Sequence, residues 1–400
     1  MSAVRIFLSL SLLLLFFLLP AVLQNYQITI GTENQLKIKS FGRNSGLGCE
    51  KIISGDQETI KRAERNMQIK LVSARRDDGR CEEFEFPAYF GDATEIDFPL
   101  AFSVLTYQNV EQTLQLLRTI YRPWNAYCVH VDLKAKKSLF EVLERLANCH
   151  ANIILAPKRE NVTWGSISVL NAALECFEVL RQSKVAWKYL LNLAATDFPL
   201  KTNAEMVAIL RNLSGKSDVQ SLRDTDAWKY TYKFDQKKIW DNLKSVKCVL
   251  KHGKDCRPLA KKSAPPHKLK VYKGSFSGAF TRNFVDFLLL SEMARDFLKW
   301  IEDVYIPDEY FWSTLYYSYW RPENDLKFAA FRTRYTHWGN IQYPSCRGYH
   351  EHGLCVFGTG DLEWLVNKDF LFAHKFDSDF QPTAVNCLRE FVSNRTFILE

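Results

Sequence analysis

The sequence predicts an α/β fold with a mostly parallel sheet, and three observations support this class. Apolar runs of strand length alternate with stretches of helical period between residues 99 and 182. The connections between them are short, as in right-handed βαβ units. A hydrophobic content of 47% across 400 residues is enough for one large core or two modest ones, which disfavours a disordered chain.

The predicted elements follow one another in a regular order. They are a strand at 99–107, a helix at 110–120, a strand at 126–132, a helix near 135–148, a strand at 152–156 and a helix at 166–182. The stretch 187–210 then begins as a strand, passes through a polar loop at Thr196 and Asp197 and continues, after Pro199, as a helix.

Two polar residues close predicted strands. Ligands of parallel sheets bind at the carboxyl ends of the strands, which is where Tyr107 and Asp132 occur. Asp132 either contacts a ligand there or only caps the helix that follows.

The amino-terminal segment predicts a membrane anchor. Residues 6–23 carry no charge and are about as long as a helix that crosses a bilayer. Arg5 precedes them and the next basic residue is Lys37, so residues 1–5 are predicted to be cytoplasmic and the remainder lumenal. A cleavable signal peptide is the alternative, although no small-x-small cleavage site follows. Residues 24–95 are polar and weakly periodic, which is typical of a stem that leads into the folded region.

Cysteine and charge content agree with a lumenal protein. The ten cysteines are an even number and include no Cys-x-x-Cys pair, which favours disulfides over a zinc site. Asn161, Asn212 and Asn394 each begin a glycosylation sequon. The net charge of +8 suits anionic ligands, but the basic loop at 251–268 is the only feature that favours nucleic acid, and a lumenal location argues against it.

The segment 306–317, IPDEYFWSTLYY, places two acids before a run of aromatic residues. Pro307 fits a first helical position, and acids in a first turn complement the exposed N–H groups of a helix. Alternatively, a carboxylate on the same helical face as Trp312 and Ser313 is a candidate general base.

Six segments in one order resemble the core 2/I-branching β-1,6-N-acetylglucosaminyltransferases. They are YCVHVD, WKYLLNLAATDFPLKTN, GSFSGAFTRNFVDF, IPDEYFWSTL, CVFGTGDLEWLV and LFAHKFD, and the likeness extends from about residue 95 to the end of the chain. The resemblance implies a GT-A glycosyltransferase domain over residues 96–400. It also implies a Golgi type II membrane enzyme that moves N-acetylglucosamine from UDP-N-acetylglucosamine to the 6-hydroxyl of galactose or N-acetylgalactosamine in O-glycans, with inversion.

The same resemblance assigns roles to single residues. The general base falls on Glu309, and Asp308 is left as a structural acid of the first turn. Lys375 falls on a basic residue that binds the diphosphate in place of a metal, so no metal cofactor is expected. The second such residue is arginine in core 2 members but His352 here, which leaves Arg347 and His350 as alternatives because histidine carries only part of a charge at neutral pH.

The remaining implied contacts concern the nucleoside and the acceptor. Uracil and ribose are expected at Asp132, Trp164 and the backbone from Leu105 to Tyr107, although Trp164 could instead be a core residue. Trp338 is expected to pack on the acceptor sugar, while Asn340 replaces a tyrosine of core 2 members. The acidic triplets at 224–226 and 377–379 resemble metal-binding Asp-x-Asp motifs, but neither follows a strand of the nucleotide-binding half.

Family pairings carried onto this chain imply the disulfides Cys49–Cys387, Cys81–Cys149, Cys128–Cys176 and Cys346–Cys355, which leaves Cys248 and Cys256 for a local fifth bridge.

Two other functions are alternatives to a branching transferase. A protein O-xylosyltransferase-like enzyme would need a further C-terminal domain, and a non-catalytic lumenal lectin or nucleotide-binding relative would not need Glu309, Lys375 and Asp132. A homodimer is compatible with each of these functions.

Overall fold

The computed structural model describes residues 48–65, 81–86, 91–222, 228–238, 241, 260–320, 331–339 and 344–398. These belong to one unit, Phe41–Glu400. No helix in these ranges is long and apolar enough to cross a membrane. The predicted anchor at 6–23, Cys248, Cys256, Asn340 and the acidic triplet at 224–226 lie outside the described residues.

The strands form three sheets. In chain order they are β1 (Leu100–Thr106), β2 (Ala126–Val131), β3 (Ile153–Leu155), β4 (Tyr189–Ala194), β5 (Asp197–Pro199), β6 (Asp218–Val219), β7 (Gly278–Thr281), β8 (Arg334–Thr336), β9 (Tyr349–Glu351), β10 (Leu354–Val356) and β11 (Phe372–His374). The largest sheet has the order β3-β2-β1-β4-β7-β6, and the others are β5-β11-β8 and the β9–β10 hairpin.

Helices cover the faces of the sheets, and the first and last described elements are also helices. They are α1 (Cys49–Ile53), α2 (Gln57–Arg65), α3 (Ala93–Ile96), α4 (Val110–Ile120), α5 (Lys137–Cys149), α6 (Ile167–Gln182), α7 (Asn203–Arg211), α8 (Trp228–Thr231), α9 (Arg282–Leu290), α10 (Glu292–Ile301), α11 (Phe311–Leu315), α12 (Leu362–Leu365) and α13 (Pro382–Ile398). Short 3₁₀ turns occur at Cys81–Phe84, Pro266–Lys268, Pro307–Glu309 and Thr359–Asp361, and Tyr316–Trp320 forms a π-helical turn.

The central sheet is mostly parallel, as predicted. β1 pairs in parallel with β2 and β4, and β2 pairs in parallel with β3, whereas β7 runs antiparallel to β4 and β6. Six successive residues of β2 are all buried, which is typical of a parallel sheet that is covered on both faces.

Alternate residues of the strands enter two separate cores. Phe102 and Val104 of β1 pack with residues of α4, α5 and α7 on one face. Ala101 of β1 and Leu190 of β4 pack with residues of α6, α9, α10 and α11 on the other. The six-stranded sheet is therefore the middle layer of three, and its side chains form core rather than a site.

A third core attaches the first described helices to the end of the chain. Ile52 of α1 and Leu388 of α13 are buried in one cluster with residues of α12 and the β5-β11-β8 sheet. A disulfide between Cys49 and Cys387 joins α1 to α13.

Three further disulfides close shorter loops. They join Cys81 to Cys149, Cys128 to Cys176 and Cys346 to Cys355. The four bridges of the described residues are the pairings that the family resemblance implied.

One local prediction is wrong. Asp197 was expected in a polar loop, but it begins β5, which pairs with β11, and its side chain is fully buried. The short DFP segment has too few residues for a periodic signal, so its pairing with a strand more than 170 residues away could not be read from the local pattern.

We expect the double variant Cys49→Ser/Cys387→Ser to lower the free energy of unfolding by about 2 to 5 kcal/mol. This bridge spans 338 residues, and cross-links over long loops remove more entropy from the unfolded chain. Urea denaturation at fixed pH measures the loss. The matched control is Cys346→Ser/Cys355→Ser, which opens a separation of only 9 residues and should cost less. An equal or larger loss in the control would contradict the prediction.

Candidate active site

The carboxyl ends of β1 and β2 bring three of the predicted nucleotide contacts together. Asp132 N donates to Thr106 O at 2.9 Å, which places Asp132 beside the end of β1. Tyr107, the next residue, has 58% of its surface exposed. The carbonyl of Leu105 accepts from Ala195 N at 2.8 Å, so the backbone before Tyr107 is fixed between β1 and the end of β4.

The Asp132 carboxylate is buried and held on one side. Its Oδ1 accepts from Lys134 N at 2.8 Å, and its Oδ2 lies 3.2 Å from Lys134 Nζ. Arg159 Nη2 donates to Asp132 O at 2.7 Å. Lys134 also donates to Asn161 Oδ1 and to Val162 O, which connects Asp132 to the loop that carries Trp164.

Trp164 is not a core residue, because 59% of its surface is exposed. Its ring lies nearly parallel to that of His352, with 6.4 Å between centroids, and edge-on to Tyr305 at 6.0 Å. Gly165 follows in the left-handed region at φ +78°, and its carbonyl accepts from Ile306 N at 2.9 Å. This hydrogen bond joins the Trp164 loop to the turn that contains Glu309.

The turn before α11 separates its two acids. Pro307–Glu309 forms a 3₁₀ turn rather than the first turn of a continuous α-helix. Trp312 and Ser313 are fully buried, and their polar atoms donate to backbone carbonyls. Trp312 and Ser313 therefore belong to the core and offer no exposed group beside Glu309.

Two lysines flank the Glu309 carboxylate. Glu309 Oε2 lies 3.4 Å from Lys229 Nζ and 3.6 Å from Lys273 Nζ, and the Glu309 side chain is 27% exposed. Gly274 N donates to Glu309 O at 2.7 Å, which fixes the backbone on the same side. The sequence does not indicate either lysine, because Lys229 lies in α8 and Lys273 in a connecting segment, both far from residue 309 along the chain, and no local pattern marks them.

Asp308, by contrast, is buried, and it lies in the first turn of this short helix, as predicted. Its Oδ1 has no hydrogen-bond partner among the residues that the structure describes. Burial and the neighbouring charge of Glu309 raise the pKa of Asp308 from 3.8 to about 7.

A hairpin carries the predicted diphosphate contacts. His352 and Gly353 form its two-residue turn, both at positive φ, between β9 and β10. Glu351, which precedes the turn, forms an ion pair with Lys375. Burial lowers the pKa of the Lys375 ammonium, and the charge of Asp377 opposes that shift.

Trp338 and Tyr107 also lie close to this hairpin, which itself contains Tyr349. Gly339 N donates to Gly353 O at 2.7 Å, which places the half-exposed Trp338 next to the turn. Tyr349 donates to Asp377 Oδ2 at 3.2 Å. Burial, together with the charge of Asp377, raises the pKa of both Tyr107 and Tyr349, so the end of β1 also faces this hairpin.

A buried charge cluster lies directly before Lys375. His374 Nδ1 lies 2.6 Å from Asp197 Oδ1, and Arg334 Nη1 lies 3.6 Å from Asp197 Oδ2. Ala194 N donates to Asp197 Oδ2 at 2.9 Å. Burial alone would raise the pKa of Asp197, but Arg334 and His374 hold it below its ordinary value. The cluster fixes the strand from which Lys375 extends.

The described residues offer one group of three metal-ligand types, Cys346, Cys355 and Asp361. The two cysteines form a disulfide, and Asp361 accepts hydrogen bonds from the backbone N–H groups of Arg347 and Gly358. This group therefore does not fit a metal. Asp377, of the second acidic triplet, is occupied by Tyr349 and by the backbone N–H of Asp379.

The predicted sequon residues Asn161, Asn212 and Asn394 are all exposed, as attachment of a glycan requires. Asn340 and the cysteines of the predicted fifth bridge lie outside the described residues.

The mostly parallel sheet, with polar groups beyond its strand ends, fits a glycosyltransferase fold, and comparison with known proteins gives the family. The family model described as "Branch: Core-2/I-Branching enzyme" matches residues 100–366. The chain belongs to this family.

Curated relatives extend the similarity over most of the chain. The β-1,3-galactosyl-O-glycosyl-glycoprotein β-1,6-N-acetylglucosaminyltransferase 3 of Mus musculus is 32% identical over 382 residues, covering 88% of this chain and 84% of the relative. The Homo sapiens protein of the same name is 32% identical and covers 86% and 82%. A β-1,3-galactosyl-O-glycosyl-glycoprotein β-1,6-N-acetylglucosaminyltransferase of Bovine herpesvirus 4 is also 32% identical, covering 90% and 85%.

We expect Asp308→Asn to stabilise the protein at pH 8 and to leave its stability at pH 3 nearly unchanged. Because the folded-state pKa of about 7 exceeds the unfolded value of 3.8, the native state binds the proton more tightly. Its contribution is therefore complete below about pH 4 and is lost as pH rises towards 7. Asparagine does not titrate, so the gain at pH 8 should be about 1 to 4 kcal/mol.

Denaturant unfolding across this pH range measures the effect, and Asp97→Asn, at an exposed carboxylate, is the control. A variant whose stability falls with pH in parallel with the parent protein would contradict the assignment.

Proposed function

We propose that this chain is an inverting β-1,6-N-acetylglucosaminyltransferase of GT-A type. It would transfer N-acetylglucosamine from UDP-N-acetylglucosamine to the 6-hydroxyl of N-acetylgalactosamine or galactose in O-glycans, forming core 2 or I-type branches. The relatives' names support the reaction class. The observation that carries the proposal is the partly exposed Glu309 carboxylate, held in a turn that is hydrogen-bonded to the Trp164 loop.

The reaction requires one displacement at the anomeric carbon. Glu309 would accept the proton of the acceptor 6-hydroxyl as its oxygen bonds to that carbon. The bond from the anomeric carbon to the diphosphate breaks at the same time, and UDP leaves with the electron pair. Because attack and departure occur on opposite faces of the sugar, the anomeric configuration inverts.

Lys229 and Lys273 would hold the Glu309 carboxylate in position without taking the place of the substrate hydroxyl. Lys229 and Lys273 approach the carboxylate at 3.4 and 3.6 Å, longer than strong charge-assisted hydrogen bonds. The carboxylate therefore keeps acceptor capacity for a substrate hydroxyl. Each ammonium group has three N–H donors, so Lys229 and Lys273 would have donors left for oxygens of the acceptor sugar.

The cleft has separate places for the parts of the donor. Asp132 and the backbone from Leu105 to Tyr107 lie at one sheet edge, where they would hold the nucleoside. The exposed ring of Trp164 offers a stacking surface. Lys375 and His352 would then stabilise the charge that develops on the departing diphosphate, without a metal ion.

Trp338 supports an acceptor site on the other side of the hairpin turn. Its ring is 54% exposed, which suits packing against one face of a sugar. The location that accompanies this function is the Golgi membrane, with a type II anchor at 6–23 and a lumenal catalytic domain.

Glu309→Gln should keep the fold and lower kcat by about 10²- to 10⁴-fold, because the amide cannot accept the hydroxyl proton. Rates with saturating UDP-N-acetylglucosamine measure the loss, and UDP affinity should change little. Glu302→Gln, at an exposed acid seven residues earlier, is the matched control and should retain full activity. Near-normal turnover in Glu309→Gln would remove this residue as the base.

Glu351→Gln should lower the KM for the donor several-fold. The Glu351 carboxylate pairs with Lys375, so an incoming diphosphate has to displace a competing anion. Glutamine keeps the shape and removes the charge. Initial rates across a donor series test this, with Glu363→Gln, another exposed acid, as the control. An unchanged or higher donor KM would show that the ion pair does not compete with the donor.

An acceptor panel tests the reaction itself. Core 1, core 3 and poly-N-acetyllactosamine acceptors are incubated with UDP-N-acetylglucosamine, and the product linkages are determined. We expect β-1,6 branches on at least one acceptor, at the same rate with and without EDTA. Loss of activity with EDTA and its rescue by manganese would overturn the metal-free mechanism, and hydrolysis without transfer would overturn the enzyme assignment.

A further inference from the structure

A second cavity opens at the edge of the central sheet opposite to Asp132 and Tyr107. Its volume is about 300 Å³, at the lower end of the range for small-molecule sites. Tyr189, which begins β4, and Thr281, which ends β7, are paired in its wall. Because Asp132 and Tyr107 follow the opposite ends of parallel strands, this cavity is separate from the proposed catalytic cleft.

The lining of the cavity is basic. It contains Lys188, Arg211 and Arg282 and no acidic residue. Lys188 is exposed, and its ammonium forms no ion pair with any residue that the structure describes. Arg282 and Arg211 have acids nearby, since Arg282 Nε lies 3.7 Å from Asp286 Oδ1 and the charge of Arg211 acts on Asp92. The positive charge of Lys188 is therefore the least compensated of the three.

Both guanidinium groups are fixed before any ligand binds. Arg211 stacks on Phe98 with 4.7 Å to the ring centroid, and its Nη2 donates to Thr94 O at 2.9 Å. Arg282 stacks on Trp187 at 4.4 Å and donates to a backbone carbonyl. Planar guanidinium groups held in this way retain donors for carboxylate or sulfate oxygens and lose little conformational entropy on binding.

Aromatic rings complete the wall. The ring centroids of Phe98 and Tyr189 are 5.9 Å apart, and Trp320 also lines the cavity with a partly exposed ring. Tyr189 is buried, and its hydroxyl donates to Lys216 O at 3.0 Å, so Trp320 is the ring of this lining that is open to a ligand. An exposed ring beside fixed cations suits a ligand with an apolar face and an anionic group.

We propose that this cavity binds an acidic sugar residue, one that carries a carboxylate or a sulfate. Such a residue combines an apolar ring face for Trp320 with an anion for Lys188, Arg211 and Arg282. If the proposed function is correct, the site would hold a charged branch of the acceptor glycoprotein at a distance from the transfer reaction. Binding of the sugar itself does not depend on catalysis.

Saturation-transfer NMR with the full-length protein tests the site, using 3′-sialyllactose, 3′-sulfated lactose and neutral lactose as probes. We expect the two acidic sugars to bind and lactose to bind at least tenfold more weakly. Lys188→Glu should lower the affinity for the acidic sugars at least tenfold, because it reverses the least compensated charge. Lys184→Glu, an exposed lysine that does not line the cavity, should have no effect.

Four outcomes would overturn the proposal: equal binding of acidic and neutral sugars, no binding at millimolar sugar, binding that Lys188→Glu leaves unchanged, or displacement of the acidic sugar by equimolar inorganic sulfate. Asn212 follows Arg211 and begins a sequon, so Asn212→Gln is a further arm. Binding that appears only in this variant would identify the chain's own glycan as the occupant and exclude an external one.

UDP affinity and transfer to a neutral acceptor are measured on the same Lys188→Glu sample. Both should equal those of the parent protein. A parent protein that binds acidic sugar but transfers nothing would refute the proposed function while leaving this site in place.

Discussion

Burial of both faces of the central sheet is the constraint on which the rest of the molecule depends. The strands β1, β2 and β4 contribute alternate side chains to two cores, so almost none of them is available for chemistry. Polar groups that act on a ligand must therefore come from the segments beyond the strand ends, as Tyr107 and Asp132 do. The Trp164 loop, the 306–309 turn and the β9–β10 hairpin assemble over that edge. A backbone hydrogen bond from Ile306 to Gly165 joins the first two, and the contact between the Trp164 and His352 rings joins the hairpin to the Trp164 loop.

One short turn gives two adjacent carboxylates opposite environments. The left-handed conformation of Ile306 and the 3₁₀ turn that follows direct Asp308 into the interior and Glu309 towards two ammonium groups. Asp308 is therefore protonated below neutral pH, where a single negative charge remains at this position.

The sequence predicted those parts of the fold that have a strong local period. Strands β1 and β2 and helices α4 and α6 lie within one or two residues of their predicted positions, because each is long and apolar on a regular pattern. Asp197 was misplaced because a three-residue strand is defined by its partner, β11, and not by its own residues. Lys229 and Lys273 could not be predicted for a related reason. They reach Glu309 only through contacts between segments that are far apart in the sequence. Family resemblance indicated Glu309, Lys375 and His352 as candidates, but it could not show that Glu351 already pairs with one of them.

The bridge between Cys49 and Cys387 also affects how the protein is made. Its partners are separated by 338 residues, which at about 5 to 20 residues per second corresponds to roughly 17 to 70 s of synthesis. During that interval the thiol of Cys49 can meet Cys81, which emerges from the ribosome far earlier than Cys387, the native partner of Cys49. The Cys49–Cys387 bridge of the first described helix can therefore form only after translation of the last one, and a premature bond of Cys49 would first have to be exchanged.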